Sequence, residues 1–165
     1  MKIIEDLYTK DCIRTYTGKY VNVFDPKPEM FCIEDIAHSL ANQCRFGAHL
    51  PFFYSVASHS IECVIHASKQ LRFTALMHDA SEAYLMDIPK PIKLRIPQYQ
   101  AIEDGLMQTL SEVFGFIYPF PDEIKAIDKM VLENEWDEFM LGQGRLTTEK
   151  FAEQLFIDVF NEYKT

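Results

Sequence analysis

The chain lacks the features that place a protein in or across a membrane. Its 165 residues contain no apolar run that approaches the roughly 20 residues of a membrane span. The first residues, Met1–Asp6, lack the apolar region of a signal peptide. We therefore expect a cytoplasmic protein without a membrane partner.

Closely spaced cysteine pairs of the kind that bind zinc are also missing. The chain has four cysteines, Cys12, Cys32, Cys44 and Cys63. None of them forms a CxxC pair, so a cysteine zinc site is not expected. In a cytoplasmic protein their thiols should stay reduced.

Basic residues are outnumbered by acidic ones, 16 to 25, so the formal net charge is -9. Most of such a surface repels a nucleic-acid polymer, so no polymer partner is expected. A small phosphorylated ligand is still compatible, since a local basic or metal-bearing pocket can outweigh the overall field. Hydrophobic residues make up 48% of the chain and charged residues 25%, values ordinary for a globular protein. The length suits one domain with one core.

Helical periodicity dominates after residue 31. One apolar stripe consists of Ile33, Ile36, Ala37, Leu40, Ala41 and Cys44. Further helices are predicted at about 56–69, 73–85, 98–114 and 122–141, with a last one ending near Tyr163. The pattern predicts an all-α, single-domain bundle of about six helices with short connections.

The N-terminal region has a different character. Residues Thr15–Phe24 are β-prone and contain a turn glycine, so a small hairpin is expected there. We interpret residues 1–31 as an elaboration packed on the core, and residues 32–165 as the main domain.

A histidine-aspartate pair, His78-Asp79, lies in an otherwise apolar segment. A helix over 73–85 places Glu82 on a face next to both, since it follows them by four and three residues. Asp87 follows where this helix should end. Charged groups among core-like residues need partners or a metal ion. A solvated stripe of an amphipathic helix explains the same spacing, so the residues alone leave both interpretations open.

Two other side chains are candidates to join this pair. His59 lies on the preceding predicted helix, and an antiparallel packing could bring it to His78. Asp128 lies beside the apolar stripe of a later helix, although an exposed helix aspartate is the simpler interpretation. The histidines interpreted as structural are His38, His49 and His66.

The order His59, His78-Asp79, Asp128 resembles the H…HD…D signature of the HD-domain phosphohydrolase superfamily. The stretch His78–Glu82, followed by Asp87-Ile88-Pro89, Pro91 and Lys93, is similar to bacterial YfbR-like 5'-deoxynucleotidases. Phage dATP triphosphohydrolases share the same small scaffold. In both groups an arginine-aromatic pair precedes the first metal histidine, as Arg45-Phe46 precedes His59 here. The resemblance covers residues 33–140 and implies the HD-domain fold.

The resemblance implies a divalent metal ion and a set of ligands for it. Those ligands would be His59, His78, Asp79 and Asp128. Mixed nitrogen and oxygen ligands suit Zn, Co, Mn, Fe or Ni, and the sequence does not choose among them. The ion would activate a water molecule and offset charge on phosphoryl oxygens.

The resemblance also implies roles for neighbouring residues. Glu82 would orient the attacking water or take up its proton, and Asp87 would support the sugar or a second metal position. Arg45 would bind phosphate and Phe46 the base or sugar. Lys93 would be a further phosphate contact, although an exposed lysine is an equally good interpretation.

The expected function is a metal-dependent phosphohydrolase of small deoxynucleotides, above all deoxynucleoside 5'-monophosphates. The alternative is a deoxynucleoside triphosphate triphosphohydrolase of the dATP type. Phe46 stands where the deoxynucleotidases usually have tryptophan, and Ser58 where they have glutamate, so base and phosphate-number preference stay open. Remoter alternatives are a non-catalytic nucleotide-binding helical module and a helical module with a structural metal. The resemblance is compatible with a homo-oligomer.

Overall fold

Helices make up most of the computed structural model, which describes residues 11–142 and 152–164. The helices are α1 (Ile33–Asn42), α2 (Val56–His66), α3 (Arg72–Met77), α4 (Glu82–Leu85), α5 (Lys90–Lys93), α6 (Pro97–Phe114), α7 (Asp122–Glu135) and α8 (Ala152–Tyr163). Two short strands, β1 (Cys12–Arg14) and β2 (Tyr20–Asn22), precede them. The predicted all-α fold with a short N-terminal hairpin is confirmed. Within the described ranges, no helix combines the length and apolar character needed to span a bilayer.

The hairpin pairs β1 with β2 in antiparallel register, with Ile13 opposite Val21. Gly18 forms its turn at φ +90°, a conformation that glycine adopts without strain. Val21 is fully buried and belongs to the helical core. In the part of the chain that the structure describes, hairpin and helices therefore share one core. Residues 1–10 of the predicted elaboration lie outside the described residues.

The core lies between α1, α2, α3 and α8, which pack against one another. The predicted stripe of α1 faces inward, since Ile36, Ala37 and Leu40 are fully buried. From α8, Phe156 is fully buried in the same cluster. This packing fixes α2 and the end of α3, which position three of the four candidate metal ligands.

The single helix predicted over 73–85 is interrupted, so that prediction was wrong. α3 ends at Met77 and α4 begins at Glu82. The His78 Nδ1–H donates to the Ala75 carbonyl oxygen at 2.7 Å. In a continuous helix that oxygen would accept from the Asp79 N–H. Glu82 N–H instead donates to Asp79 O three residues back, and tight turns replace the regular ladder.

The long helix predicted through residue 141 also changes form. Regular α7 ends at Glu135, and the segment Trp136–Met140 continues as a π-helical turn. Such turns are often found at functional sites. Here the turn follows directly after the buried Glu135 carboxylate.

Phe156→Ala is expected to lower the free energy of unfolding by about 3–5 kcal/mol, because it removes a fully buried ring from the core. Leu155→Ala is the matched control, since its side chain is 44% exposed. The control should change stability by no more than about 0.5 kcal/mol. Urea unfolding monitored by circular dichroism measures both. Equal losses for the two variants would contradict the placement of α8.

Candidate metal centre

Four side chains from three separate elements converge on one point. Asp128 Oδ1, from α7, lies 3.1 Å from His59 Nε2 on α2 and 3.7 Å from His78 Nε2 after α3. Asp79 Oδ2 lies 3.3 Å from His78 Nε2 and 3.8 Å from His59 Nε2. These are the residues singled out in the sequence as metal ligands. Their two nitrogens and two oxygens form a compact donor set.

Both imidazoles are held in place by a contact at Nδ1, the ring nitrogen that faces away from the candidate centre. His59 Nδ1 lies 2.7 Å from Glu135 Oε1, and His78 Nδ1 donates to Ala75 O. A carboxylate and a carbonyl both require a proton on Nδ1, which leaves Nε2 of a neutral ring free to bind a cation. Metal-ligating histidines typically donate their other N–H in this way.

Two of the converging atoms lack hydrogen-bond partners. His78 Nε2 and Asp79 Oδ2 are buried, and neither makes a hydrogen bond within the described residues. Buried polar atoms without partners are rare and costly in folded proteins. A cation bound between them would satisfy both at once. The donor set therefore fits a metal ion that accepts nitrogen and oxygen ligands.

Cys63 lies one helical turn after His59, with its Sγ 3.7 Å from His59 Nε2. Together with His78 they form a buried group whose ligand atoms lie within 4.8 Å of one another and could hold a metal ion. A search for CxxC pairs missed this thiol, whereas its spacing of four residues from His59 would have shown it. Burial and the nearby carboxylates raise the pKa of the Cys63 thiol, so it stays protonated without a metal.

The candidate ligands are tightly coupled electrostatically. Burial lowers the pKa of His78, but Asp79 and Asp128 outweigh it and raise that pKa to about 9. In turn, the two histidines hold the pKa of Asp128 far below its usual range despite burial. Without a metal, this centre therefore holds protons that a bound cation would displace.

Comparison with known proteins identifies relatives of this chain. A protein of Escherichia coli (strain K12) described as uncharacterized protein YfdR is 37% identical over 132 residues, which span 80% of this chain and 74% of that protein. The chain belongs to the YfdR family. A second relative, the uncharacterized protein RCAP_rcc00048 of Rhodobacter capsulatus, is 34% identical over 126 residues, 70% of this chain and 64% of its own length. No family model matches the chain.

In this member of the YfdR family, Arg45 is a buried cation among carboxylates. Its Nη2 lies 3.0 Å from Glu135 Oε2, and its Nη1 lies 4.0 Å from both Asp79 Oδ2 and Asp87 Oδ2. Burial lowers the pKa of Arg45, but these carboxylates outweigh it and keep the guanidinium charged. Its Nε is buried without a hydrogen-bond partner in the described parts of the chain.

Phe46 follows Arg45 in a strained turn, with φ of +55°. Its half-buried ring has its centroid 6.0 Å from that of Trp136, which is 45% exposed. The Arg45 guanidinium carbon lies 5.5 Å from the centre of the same ring. The arginine-aromatic pair therefore lies beside the candidate metal centre, next to a second aromatic side chain that sequence reasoning missed.

Glu82 and Lys93 meet near the ligands. Glu82 Oε1 lies 3.7 Å from Lys93 Nζ, while Glu82 Oε2 is buried without a hydrogen-bond partner among the described residues. Burial, reinforced by Asp79 and Asp87, raises the pKa of Glu82 well above its usual value. Lys93 Nζ also contacts Glu103 Oε1 at 2.6 Å. The interpretation of Lys93 as a simple exposed lysine was therefore wrong, because the structure pairs it with two buried or half-buried carboxylates.

Asp87 lies just beyond α4. The preceding residue, Met86, has φ of +70° and turns the chain there. The Asp87 N–H donates to Gln43 Oε1 at 3.2 Å, and its carboxylate faces Arg45. Burial raises the pKa of Asp87, although Arg45 opposes that shift.

A cavity of about 260 Å³ opens onto His78, Asp79 and Asp128. Its other polar and aromatic walls include Lys93, Glu103, Asp104, Tyr118, Phe120 and Lys125. Within the described residues, neither Arg45 nor Phe46 lines it. Sequence reasoning found Lys93 but missed the other walls, because they come from α6, the following loop and the start of α7, which no local motif connects to the ligands.

Glu135 is another residue that sequence reasoning missed. It follows Asp128 by seven residues, two helical turns further along the same face of α7, and this spacing would have shown it. Its two oxygens contact His59 Nδ1 and Arg45 Nη2. One buried carboxylate thus positions a ligand and a cation together.

Glu135→Ala is expected to weaken metal binding about 10–100-fold, the usual effect of losing a group that orients a ligand. Glu135→Gln should recover most of the affinity, because its amide oxygen can still accept the His59 Nδ1–H. The control is Glu133→Ala on the exposed side of the same helix. Competition with a chromogenic chelator measures the affinity. Wild-type affinity in Glu135→Ala would show that His59 needs no support.

Proposed function

We propose that this protein is a metal-dependent phosphohydrolase of small deoxynucleotides, with deoxynucleoside 5'-monophosphates as its main substrates. One observation carries the proposal. The Nε2 atoms of His59 and His78 and the oxygens of two aspartates face one another beside a cavity that His78, Asp79 and Asp128 line. The resemblance to HD-domain phosphohydrolases agrees with this arrangement.

The metal ion would be held by His59, His78, Asp79 and Asp128, with Cys63 as an alternative to one carboxylate. Zn, Co, Mn, Fe and Ni all accept this donor set. When bound, such an ion supplies Lewis acidity, which lowers the pKa of a water molecule and offsets charge on phosphoryl oxygens.

Glu82 is the group proposed to handle the proton of the attacking water. Its Oε2 is buried without a hydrogen-bond partner within the described residues, so this oxygen is free to accept a hydrogen bond from that water. Its Oε1 lies near Lys93, which fixes the orientation of the carboxylate. Asp87 is proposed to receive the sugar end of the substrate.

The cations around the centre are proposed to bind phosphate. Lys93 lines the cavity directly. Arg45 contacts Asp79 and Glu135, and among the described residues its buried Nε makes no hydrogen bond, so a phosphate that reaches it would supply one. Phe46, together with Trp136, offers an aromatic surface to a base or sugar.

The size of the cavity favours a small substrate. Ligand cavities usually measure about 300–1,000 Å³, and this one lies just below that range at about 260 Å³. A monophosphate carries less bulk and less negative charge than a triphosphate into a cavity that already contains several carboxylates. This is the reason for proposing monophosphates over triphosphates.

The test is a phosphate-release screen over all deoxynucleoside mono- and triphosphates, each with Zn, Co, Mn, Fe and Ni. Inorganic phosphate from monophosphates is the expected product, and Asp79→Asn is the inactive control. Release of inorganic triphosphate instead would establish the triphosphohydrolase alternative. Absence of turnover with every metal and nucleotide, in protein shown to contain metal, would overturn the proposal in favour of a binding or structural module.

A further inference from the structure

A second cavity, of about 430 Å³, lies between the N-terminal hairpin, α1 and α4. It shares no lining residue with the cavity at the metal centre. Its volume falls within the usual range for small-molecule sites. The features that follow concern this cavity alone and do not depend on the proposed hydrolase activity.

A free cation stands at this cavity. Arg14, the last residue of β1, is exposed, and its side chain makes no hydrogen bond or ion pair within the described residues. The guanidinium lies over the hairpin turn, where a Cβ at residue 18 would approach its Nη2 to 3.1 Å. Gly18 thus leaves room for the arginine. A guanidinium with all its donors unused is a site for a phosphate or carboxylate.

A buried hydroxyl in the same cavity lacks a partner. Tyr84, on α4, is only 8% exposed, and its hydroxyl makes no hydrogen bond within the part of the chain described. An unsatisfied buried hydroxyl destabilises a folded protein. A ligand oxygen or nitrogen in the cavity would satisfy it.

A flat aromatic surface also lines the cavity. The rings of Tyr16 and His38 are stacked, with centroids 3.7 Å apart and planes 12° apart. Tyr16 is 65% exposed, so much of its ring is available to a further planar group. The carboxylate in the wall, Asp35, is already satisfied by the Thr17 N–H and hydroxyl at 2.7 and 2.9 Å.

We propose that this cavity is a second binding site, for a small planar ring that carries a phosphate or carboxylate. The anionic group would bind Arg14, the ring would pack against Tyr16, and the Tyr84 hydroxyl would bond to a polar atom of the ligand. Gln43 connects this site to the candidate active site, because its Nε2 donates to Glu82 O and its Oε1 accepts from the Asp87 N–H.

The test is isothermal titration calorimetry of the 165-residue chain with AMP and, separately, with indole-3-acetate, which distinguish a phosphate from a carboxylate ligand. Both titrations are run on wild type and on Asp79→Asn, in which the metal centre is impaired. Binding of at least one probe to Asp79→Asn is expected. Adenosine and inorganic phosphate, each holding one half of the ligand chemistry, should bind more weakly.

Arg14→Gln in the Asp79→Asn background should weaken that binding about 10–150-fold, the value of hydrogen bonds to a charged group. Tyr84→Phe should weaken it by up to about 10-fold. Lys69→Gln removes a distant exposed charge and should leave it unchanged. Thermal melting checks that each variant folds.

Two results would overturn the proposal. One is that neither probe binds Asp79→Asn. The other is that Arg14→Gln binds both probes as tightly as its parent. Binding that disappears with Asp79→Asn but survives Arg14→Gln in wild type would place the nucleotide at the metal centre, which overturns this site but leaves the proposed function standing. Failure of phosphate release leaves the second site untouched.

Discussion

His78→Ala is expected to lose both the bound metal ion and all measurable phosphate release. His78 Nε2 faces Asp79 and Asp128 and makes no hydrogen bond within the described residues, so its role is explained by a cation. Metal content is measured by mass spectrometry on purified protein, alongside the release assay. His66→Ala is the matched control, because His66 is exposed on α2 and, among the described residues, its side chain hydrogen-bonds to Glu62 alone. Full metal occupancy in His78→Ala would show that His78 is not a metal ligand.

A pair of further variants separates the two donor sets that the geometry allows. Asp128→Asn removes a carboxylate that contacts both histidines. Cys63→Ser replaces the thiol next to His59 with a hydroxyl on a side chain of the same shape. We expect Asp128→Asn to lose metal and Cys63→Ser to retain it. The reverse pattern would show a centre built on His59, Cys63 and His78.

The convergence of the four candidate metal ligands could be predicted from the sequence because their order carries the information. His59, His78-Asp79 and Asp128 stand in the sequence of the HD signature, and the core packing of α2, α3 and α7 then brings them together. Helical spacing alone was a poorer guide. The predicted continuous helix placed His78 and Glu82 on one face, whereas the bond from His78 Nδ1 to Ala75 O ends the helix between them.

The rest of the site depends on contacts that no local pattern encodes. The Arg45–Glu135 ion pair joins residues 90 positions apart, and the His59–Glu135 contact joins residues 76 apart. A positively charged side chain looks like a phosphate ligand in the sequence, yet here it is first of all a partner for three carboxylates. The ion pair between Arg45 and Glu135 becomes visible only when the turn at Arg45 packs against the end of α7.

The same limit applies to Lys93 and Glu82. From the sequence, Lys93 could equally be an exposed lysine or a phosphate contact. In the structure its Nζ lies between Glu82 Oε1, at 3.7 Å, and Glu103 Oε1, at 2.6 Å. Glu82 is therefore oriented by a cation on one oxygen while the other is buried without a hydrogen-bond partner in the described residues. A carboxylate held in this way can accept a proton at the free oxygen.

Glu82→Gln is accordingly expected to keep the metal and bind substrate but to lose about 10²–10⁴-fold in kcat, the usual value of a positioned proton-transfer group. Glutamine preserves the shape of the side chain and cannot take up the proton. Glu103→Gln is the sharpest control, because it also removes a carboxylate from Lys93 at a residue that lines the cavity. If Glu82 acts through its own oxygen, Glu103→Gln should cost far less in kcat. Near wild-type kcat in metal-loaded Glu82→Gln would remove Glu82 from proton transfer. An equal loss in both variants would instead point to Lys93, which both carboxylates contact.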